Sequence, residues 1–80
     1  SRALRLAQKR VRAAKRGVAA EALREELREL IESEPEARVD YIGFFDPESL
    51  EPLERIRRGA HLALAVFVGS TRLIDNLRLD

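Results

Sequence analysis

Residues 61–79 read HLALAVFVGSTRLIDNLRL, and this stretch decides the fold. Two runs rich in aliphatic and β-branched residues flank Gly69-Ser70, a dipeptide that is typical of a tight turn. The spacing predicts strands over residues 61–68 and 71–79, joined as an antiparallel β-hairpin. A hairpin with a two-residue loop is therefore the predicted C-terminal part of the fold.

A third predicted strand lies upstream of the hairpin, over residues 38–45. This run is rich in β-branched and aromatic side chains, and Asp46-Pro47 ends it. Residues 48–60 are charged and show no clear period, so we expect an irregular connection with a turn at Gly59. The sequence thus predicts a small, mostly antiparallel sheet of three strands.

The N-terminal part of the chain has helical periodicity. Apolar residues recur at spacings of three and four over residues 2–16 and again over residues 19–33. Gly17 is a typical end for the first helix, and Pro35 prevents the second from continuing. The short link between them predicts an antiparallel pair. The predicted fold is a single α+β domain over residues 1–80, with both helices packed on one face of the sheet.

Composition limits the classes of function. The 80 residues include no cysteine, which excludes a disulfide framework and a thiolate zinc site and fits a cytoplasmic origin. No apolar run approaches the ~20 residues that a membrane helix needs, so we expect no membrane partner. His61 is the only histidine and has no second ligand of its kind. We therefore expect no metal, no cofactor and no catalytic residue.

Charge is unevenly distributed, although the net charge is only +1. Residues 1–17 carry basic and no acidic side chains, whereas residues 18–36 are rich in glutamate. Two adjacent helices of opposite charge explain this pattern, and a basic helix that binds nucleic acid is the alternative. Because the first helix has no aromatic residue on which a base could stack, we expect no nucleic-acid partner.

Three segments carry a resemblance to a known enzyme family. They are Arg38-Val39-Asp40-Tyr41-Ile42, Asp46-Pro47-Glu48-Ser49-Leu50 and Gly69-Ser70-Thr71-Arg72-Leu73-Ile74-Asp75-Asn76. Together they resemble the C-terminal domain of pantothenate synthetase, an enzyme that joins pantoate to β-alanine with ATP. In that family this domain closes over the active site as a lid, and the nucleotide-binding domain carries most of the chemistry. The resemblance implies an isolated accessory domain without catalytic machinery, in which Arg72 and Asp75 have structural roles.

Alternation along the strands assigns side chains to the two faces of the sheet. The face predicted to meet the helices holds large aliphatic and aromatic residues, namely Ile42, Phe44, Leu62, Leu64, Val66 and Val68. The opposite face is predicted to hold aromatic rings around small residues, namely Tyr41, Gly43, Phe45, His61, Ala63, Ala65 and Phe67. An uncovered sheet face is normally polar, so this composition requires an explanation.

We interpret the aromatic face as a protein-binding surface, because aromatic anchors around a flat centre are typical of interface hot spots. Gly43, Phe44 and Phe45 also depart from what is usual in the resembled family, as do His61 and Phe67, which favours an engineered binding module. The predicted partner is a different protein or a second copy of the chain. Two alternatives stay open. The face could be a former contact surface that a neighbouring domain covers in the intact ligase, as expected of a remnant lid. Alternatively, it could be partly buried core.

Overall fold

The structure is a computed structural model, and it describes residues 2–80. Its elements are α1 (Arg2–Ala13), β1 (Val18–Ala19), α2 (Ala20–Glu32), β2 (Ala37–Phe45), β3 (Arg55–Ile56), β4 (His61–Val68) and β5 (Thr71–Arg78). The three long strands form one sheet in the order β2-β4-β5, so β4 is central. Both pairings in this sheet are antiparallel. The predicted α+β class is confirmed.

The hairpin of β4 and β5 has a two-residue loop. Val68 lies opposite Thr71, and Gly69 has a φ of 61° at the first loop position. Glycine adopts this left-handed conformation without strain, and glycine at the first loop position is typical of type II′ hairpin turns. β5 ends at Arg78, one residue before the predicted end.

Helix α1 is shorter than the sequence predicts. It ends at Ala13 rather than near Arg16, because the chain turns at Gly17 to enter β1. The N–H of Gly17 donates to the carbonyl of Ala14 at 3.1 Å, and Gly17 has a φ of 82°. Within residues 2–80, no helix is long and apolar enough to cross a membrane.

A second, two-stranded sheet joins the link between the helices to the segment before β4. β1 and β3 pair antiparallel, and the guanidinium of Arg55 donates to the carbonyls of Arg16 and Gly17 at 3.1 Å each. The connection over residues 48–60, predicted to be irregular, therefore contains a strand. A two-residue strand shows no periodic pattern, so long-range pairing decides this conformation rather than local sequence.

The core lies between α2, α1 and one face of the three-stranded sheet. Helix α2 packs against β2, and α1 packs against α2, where Arg10 and Glu26 form an exposed ion pair at 2.7 Å. The largest fully buried side chains are Leu23, Leu27, Phe44, Ile56, Leu62 and Leu79. Val68 was predicted to meet the helices and is instead exposed, because it closes the hairpin at the tip of β4.

A β-bulge in β2 sets the faces of that strand. Val39 lies opposite Val66, but Tyr41 lies opposite Ala65, so Asp40 is the extra residue. Both Val39 and Ile42 are consequently buried in the core. Without the bulge, strict alternation would place Val39 on the same face as Tyr41.

Candidate functional site

The face of the three-stranded sheet that the helices leave uncovered is called the open face below. The pairing of the strands places on it Arg38, Tyr41, Gly43, Phe45, His61, Ala63, Ala65, Phe67, Arg72, Ile74, Asn76 and Arg78. All seven residues that the sequence singled out are among them. The register brings them together because residues directly opposite in antiparallel strands point to the same side.

At one part of the open face, the ring of Tyr41 covers Gly43. A Cβ atom built on Gly43 would overlap the ring and hydroxyl of Tyr41 and lie 2.8 Å from a ring carbon of Phe45. Only glycine leaves room for this arrangement, in which an aromatic ring protects a glycine within a sheet. Gly43 is itself buried, whereas Tyr41 is 45% exposed. Gly43 thus contributes to the open face by positioning Tyr41.

At the opposite part of the open face, arginines surround Phe67. The guanidinium of Arg38 lies 4.7 Å from the centroid of the Phe67 ring, a cation–π distance. Arg72 is directly opposite Phe67 on β5, and its guanidinium forms an ion pair with Asp40 at 2.9 Å. Phe67 is therefore half-buried by its own chain before any partner arrives.

Between these two clusters the side chains are small and apolar, so the surface is recessed there. Ala65 is only 3% exposed and Ala63 is half-buried. Ile74, opposite Ala65 on β5, is 63% exposed and projects beside them. Ile74 was not among the predicted site residues. The signal was present in the sequence, because a two-residue turn at Gly69-Ser70 already fixes Ile74 opposite Ala65.

His61 lies at the far end of the open face and is half-buried. Its Nε2 is 3.2 Å from the Oδ1 of Asn76, so the tautomer protonated at Nε2 donates a hydrogen bond to that oxygen. Within residues 2–80, no group of three or more histidine, cysteine, aspartate or glutamate side chains is placed to hold a metal ion.

Asp46 follows β2 directly and organises the turn that leaves the sheet. Its Oδ1 accepts the backbone N–H groups of Ser49 at 3.0 Å and Glu48 at 2.9 Å. These hydrogen bonds, that from Ser49 first, lower the pKa of Asp46 below its usual value. The carboxylate thus stabilises the turn, because its Oδ1 accepts hydrogen bonds from backbone groups within the turn.

The fold and the open face define a small α+β domain whose distinguishing surface combines aromatic and aliphatic side chains with arginines. The chain belongs to the pantoate–β-alanine ligase family, whose model matches residues 1–78. It is 43% identical over 79 residues to the pantothenate synthetase of Moorella thermoacetica, covering 99% of this chain and 27% of that protein. It is 44% identical over 79 residues to the pantothenate synthetase of a Roseiflexus species, covering 99% of this chain and 28% of that protein.

A solved structure agrees with this assignment. The crystal structure of pantothenate synthetase from Thermus thermophilus has a TM-score of 0.71 and is 33% identical, covering 98% of this chain and 27% of that one. The chain spans little more than a quarter of the length of these relatives. The predicted family is confirmed.

Proposed function

We propose that the chain is a non-catalytic protein-binding domain that docks a protein partner on its open face. The observation that carries this proposal is the cluster of Tyr41, Phe45, Phe67 and Ile74 around a low centre of small residues. Aromatic and arginine side chains are enriched among the residues that dominate binding energies, and both kinds occur on this face.

The geometry of the open face suits binding in a second respect. Tyr41 is held against Gly43 and Phe45, so little side-chain entropy remains to be lost when a partner covers it. Ile74 offers the most exposed apolar surface of the face, and burying such a side chain fully contributes about 1.5–3 kcal/mol. Arg38 and Arg72 lie toward the rim, which favours a partner with carboxylates at its periphery.

The partner on the open face is either a different protein or a second copy of this chain. Engineering of this surface accounts for the departures from the family pattern at Gly43, Phe45, His61 and Phe67, because all four lie on it. The departure at Phe44 has a different explanation, because Phe44 is buried in the core. Placing a charged side chain at position 67 as Phe67→Glu should then abolish binding while the domain stays folded. Full retention of binding would contradict an engineered interface.

The experiment that tests the open face begins with isolation of a binding protein and titration of the purified partner. Tyr41→Ala and Phe45→Ala should each weaken binding by roughly 2 kcal/mol, about 30-fold, if the rings are central anchors. Leu50→Ala is the matched control, because Leu50 is an exposed leucine outside the open face. A partner that binds all three variants with the affinity of the parent chain would refute the proposal.

The lack of catalysis is part of the proposal. The chain spans 27% of an enzyme relative, so most of the residues of such a ligase lie outside the matched region. We expect the purified chain to give no ATP-dependent joining of pantoate to β-alanine. Turnover that persists after contaminating host enzyme has been inactivated would overturn this expectation.

A second candidate is a remnant lid of the ligase, favoured by the family match over residues 1–78. Its partner would then be the rest of a pantothenate synthetase. The test is titration of the chain against the Moorella thermoacetica enzyme from which the matching segment has been removed. Saturable binding that Tyr41→Ala weakens would favour the lid, and no binding up to millimolar concentration would exclude it.

A further inference from the structure

The two outer edges of the three-stranded sheet differ in how their backbone groups are satisfied. On β2, the N–H of Val39 donates to the Glu32 carboxylate at 2.8 Å. The carbonyl of Ile42 accepts from the Arg24 guanidinium at 3.0 Å, and that of Phe44 accepts from the N–H of Leu53 at 2.9 Å. Side chains and a neighbouring segment thus block the β2 edge against any further strand.

These contacts also fix the direction of every backbone group in the sheet. Because the carbonyls of Ile42 and Phe44 point away from β4, the pairs Tyr41–Ala65 and Gly43–Ala63 must be the ones that exchange hydrogen bonds. Ala63 and Ala65 consequently direct their backbone groups toward β2.

The same alternation continues into β5. The residues between the alanines of β4 direct their backbone groups toward β5, so the bonded pairs there are Leu64–Asp75 and Val66–Leu73. Arg72, Ile74 and Asn76 therefore turn their N–H and C=O groups outward. Within residues 2–80, no hydrogen bond from another element reaches these outward groups.

Apolar side chains flank this unblocked edge on both sides. Ile74 is 63% exposed on the open face, and Leu73 is 54% exposed on the helix-facing side. A partner docked on the open face would cover Ile74 and leave Leu73 in water. A partner that adds a strand to β5 covers both, because its own side chains alternate beside them.

We propose that β5 pairs antiparallel with β5 of a second copy of the chain, so that the two sheets join into one. A second copy offers the same unblocked edge, and a two-fold axis makes each edge the complement of the other. The interaction uses the β5 edge, shares Arg72, Ile74 and Asn76 with the open face of the proposed function, and does not depend on that function.

The sequence of β5 selects one register for this pairing. A two-fold axis that passes between the two copies at Ile74 or at Asp75 would pair nearly all residues of both β5 strands. An axis at Asp75 places that carboxylate opposite its own copy and Arg72 opposite Arg78 of the second copy, and like charges directly opposite are unfavourable. An axis at Ile74 avoids both conflicts.

With the axis at Ile74, the backbone groups of Ile74 bond reciprocally to those of Ile74 in the second copy. Arg72 then lies opposite Asn76 of the second copy, which offers an amide oxygen to the guanidinium. The axis is perpendicular to the sheet, so the two open faces lie side by side on the same surface of the dimer. One dimer would therefore present two open faces in a fixed relative orientation.

The absence of cysteine from the chain permits a direct test of the register. Ile74→Cys places two thiols on opposite residues of a bonded pair, whose Cα separation of about 5.5 Å is within disulfide range. Thr71→Cys is the matched control, because Thr71 is also exposed on β5 but distant from its own copy in this register. Under mild oxidation Ile74→Cys should form a covalent dimer well before Thr71→Cys. Equal rates of cross-linking would overturn the proposal.

Sedimentation equilibrium tests the association itself. The parent chain should dimerise with increasing concentration. Ile74→Lys should weaken dimerisation about 100-fold or more, because each copy loses one buried isoleucine and gains a charge opposite its own copy. Tyr41→Lys is the control on the open face and should leave dimerisation unchanged. A monomeric parent at millimolar concentration, or a dimer lost with Tyr41→Lys and retained with Ile74→Lys, would overturn the edge pairing.

Discussion

Phe44 and Phe45 are adjacent in β2 and lie on opposite faces of the same sheet. Phe44 is 2% exposed in the core, and the Arg24 guanidinium lies 5.7 Å from the centroid of its ring. Phe45 is half-buried, and its ring and that of Tyr41 both lie over Gly43 of the same strand. The helices supply a partner for one face only. The other face is covered in part by its own side chains, so the same residue type belongs to the core on one side and to a surface on the other.

The largest effect expected from this comparison is the contrast between two truncations. Phe44→Ala should lower the free energy of unfolding by about 3–5 kcal/mol, because it leaves a cavity beneath α2. Phe45→Ala should cost markedly less, because its ring is half in water already. Chemical denaturation of both variants measures the difference. Equal losses would mean that the open face is as much a part of the core as the helix-covered face.

A second test concerns the packing of Tyr41 on Gly43. Gly43→Ala should lower the free energy of unfolding by about 1–3 kcal/mol, because the new Cβ atom displaces the tyrosine ring. In a Tyr41→Ala background the same change should cost less, because only the Phe45 ring then remains close to the new Cβ atom. The double-mutant cycle by thermal denaturation should therefore show strong coupling. Additive effects would argue against the stacked arrangement.

A smaller effect is expected where charges border the open face. Arg72→Ala should lower the free energy of unfolding by about 0.2–1 kcal/mol, because its ion pair with Asp40 is partly exposed. The loss should shrink in high salt, where the pair is screened. Asp75→Ala, on the other face of β5, is the comparison, and it should have a smaller effect that does not depend on salt. A salt-independent loss for Arg72→Ala would assign its role to packing over Phe67 instead.

The smallest effect on stability is expected at Asp46, the residue that directly follows β2. The folded-state pKa of Asp46 is below its ordinary value of 3.8, so its carboxylate stabilises the fold at neutral pH. That stabilisation is lost as the pH falls below 3.8 and through the lowered pKa. Asp46→Ala should therefore be less stable than the parent at pH 7, and the deficit should shrink in acid. If the stability difference between Asp46→Ala and the parent did not change with pH, the charge of the carboxylate would not contribute to stability.

Much of the fold follows from local sequence. The period-two pattern of residues 61–68 predicts β4 with the bounds that the structure has, and the turn at Gly69-Ser70 predicts the hairpin. The end of α1 could not be predicted, because residues 18 and 19 become extended only by pairing with β3 far along the chain. The bulge at Asp40 is likewise decided by the register against β4.

The composition of the open face could be predicted as well, because alternation alone assigns Tyr41, Phe45 and Phe67 to one side. The arrangement of those side chains could not. The position of the Tyr41 ring over Gly43 and of Arg38 over Phe67 depends on side-chain rotamers. Ile74 was not predicted, because an aromatic side chain was the criterion for an interface residue and Ile74 is aliphatic. The interface role of the face stays a prediction.

The small sheet of β1 and β3 has a consequence for the order of folding. The β4–β5 hairpin closes a two-residue loop, whereas β1 and β3 join residue 18 to residue 56. Closing the longer loop costs more chain entropy, so we expect the hairpin to be formed in the transition state and the small sheet to form after it. Arg55→Ala, which removes the guanidinium that fastens this sheet, should then accelerate unfolding and leave the refolding rate unchanged in stopped-flow measurements. A slower refolding rate would mean that the sheet forms early. The two-stranded sheet would thus determine the unfolding rate, and with it the lifetime of the folded state.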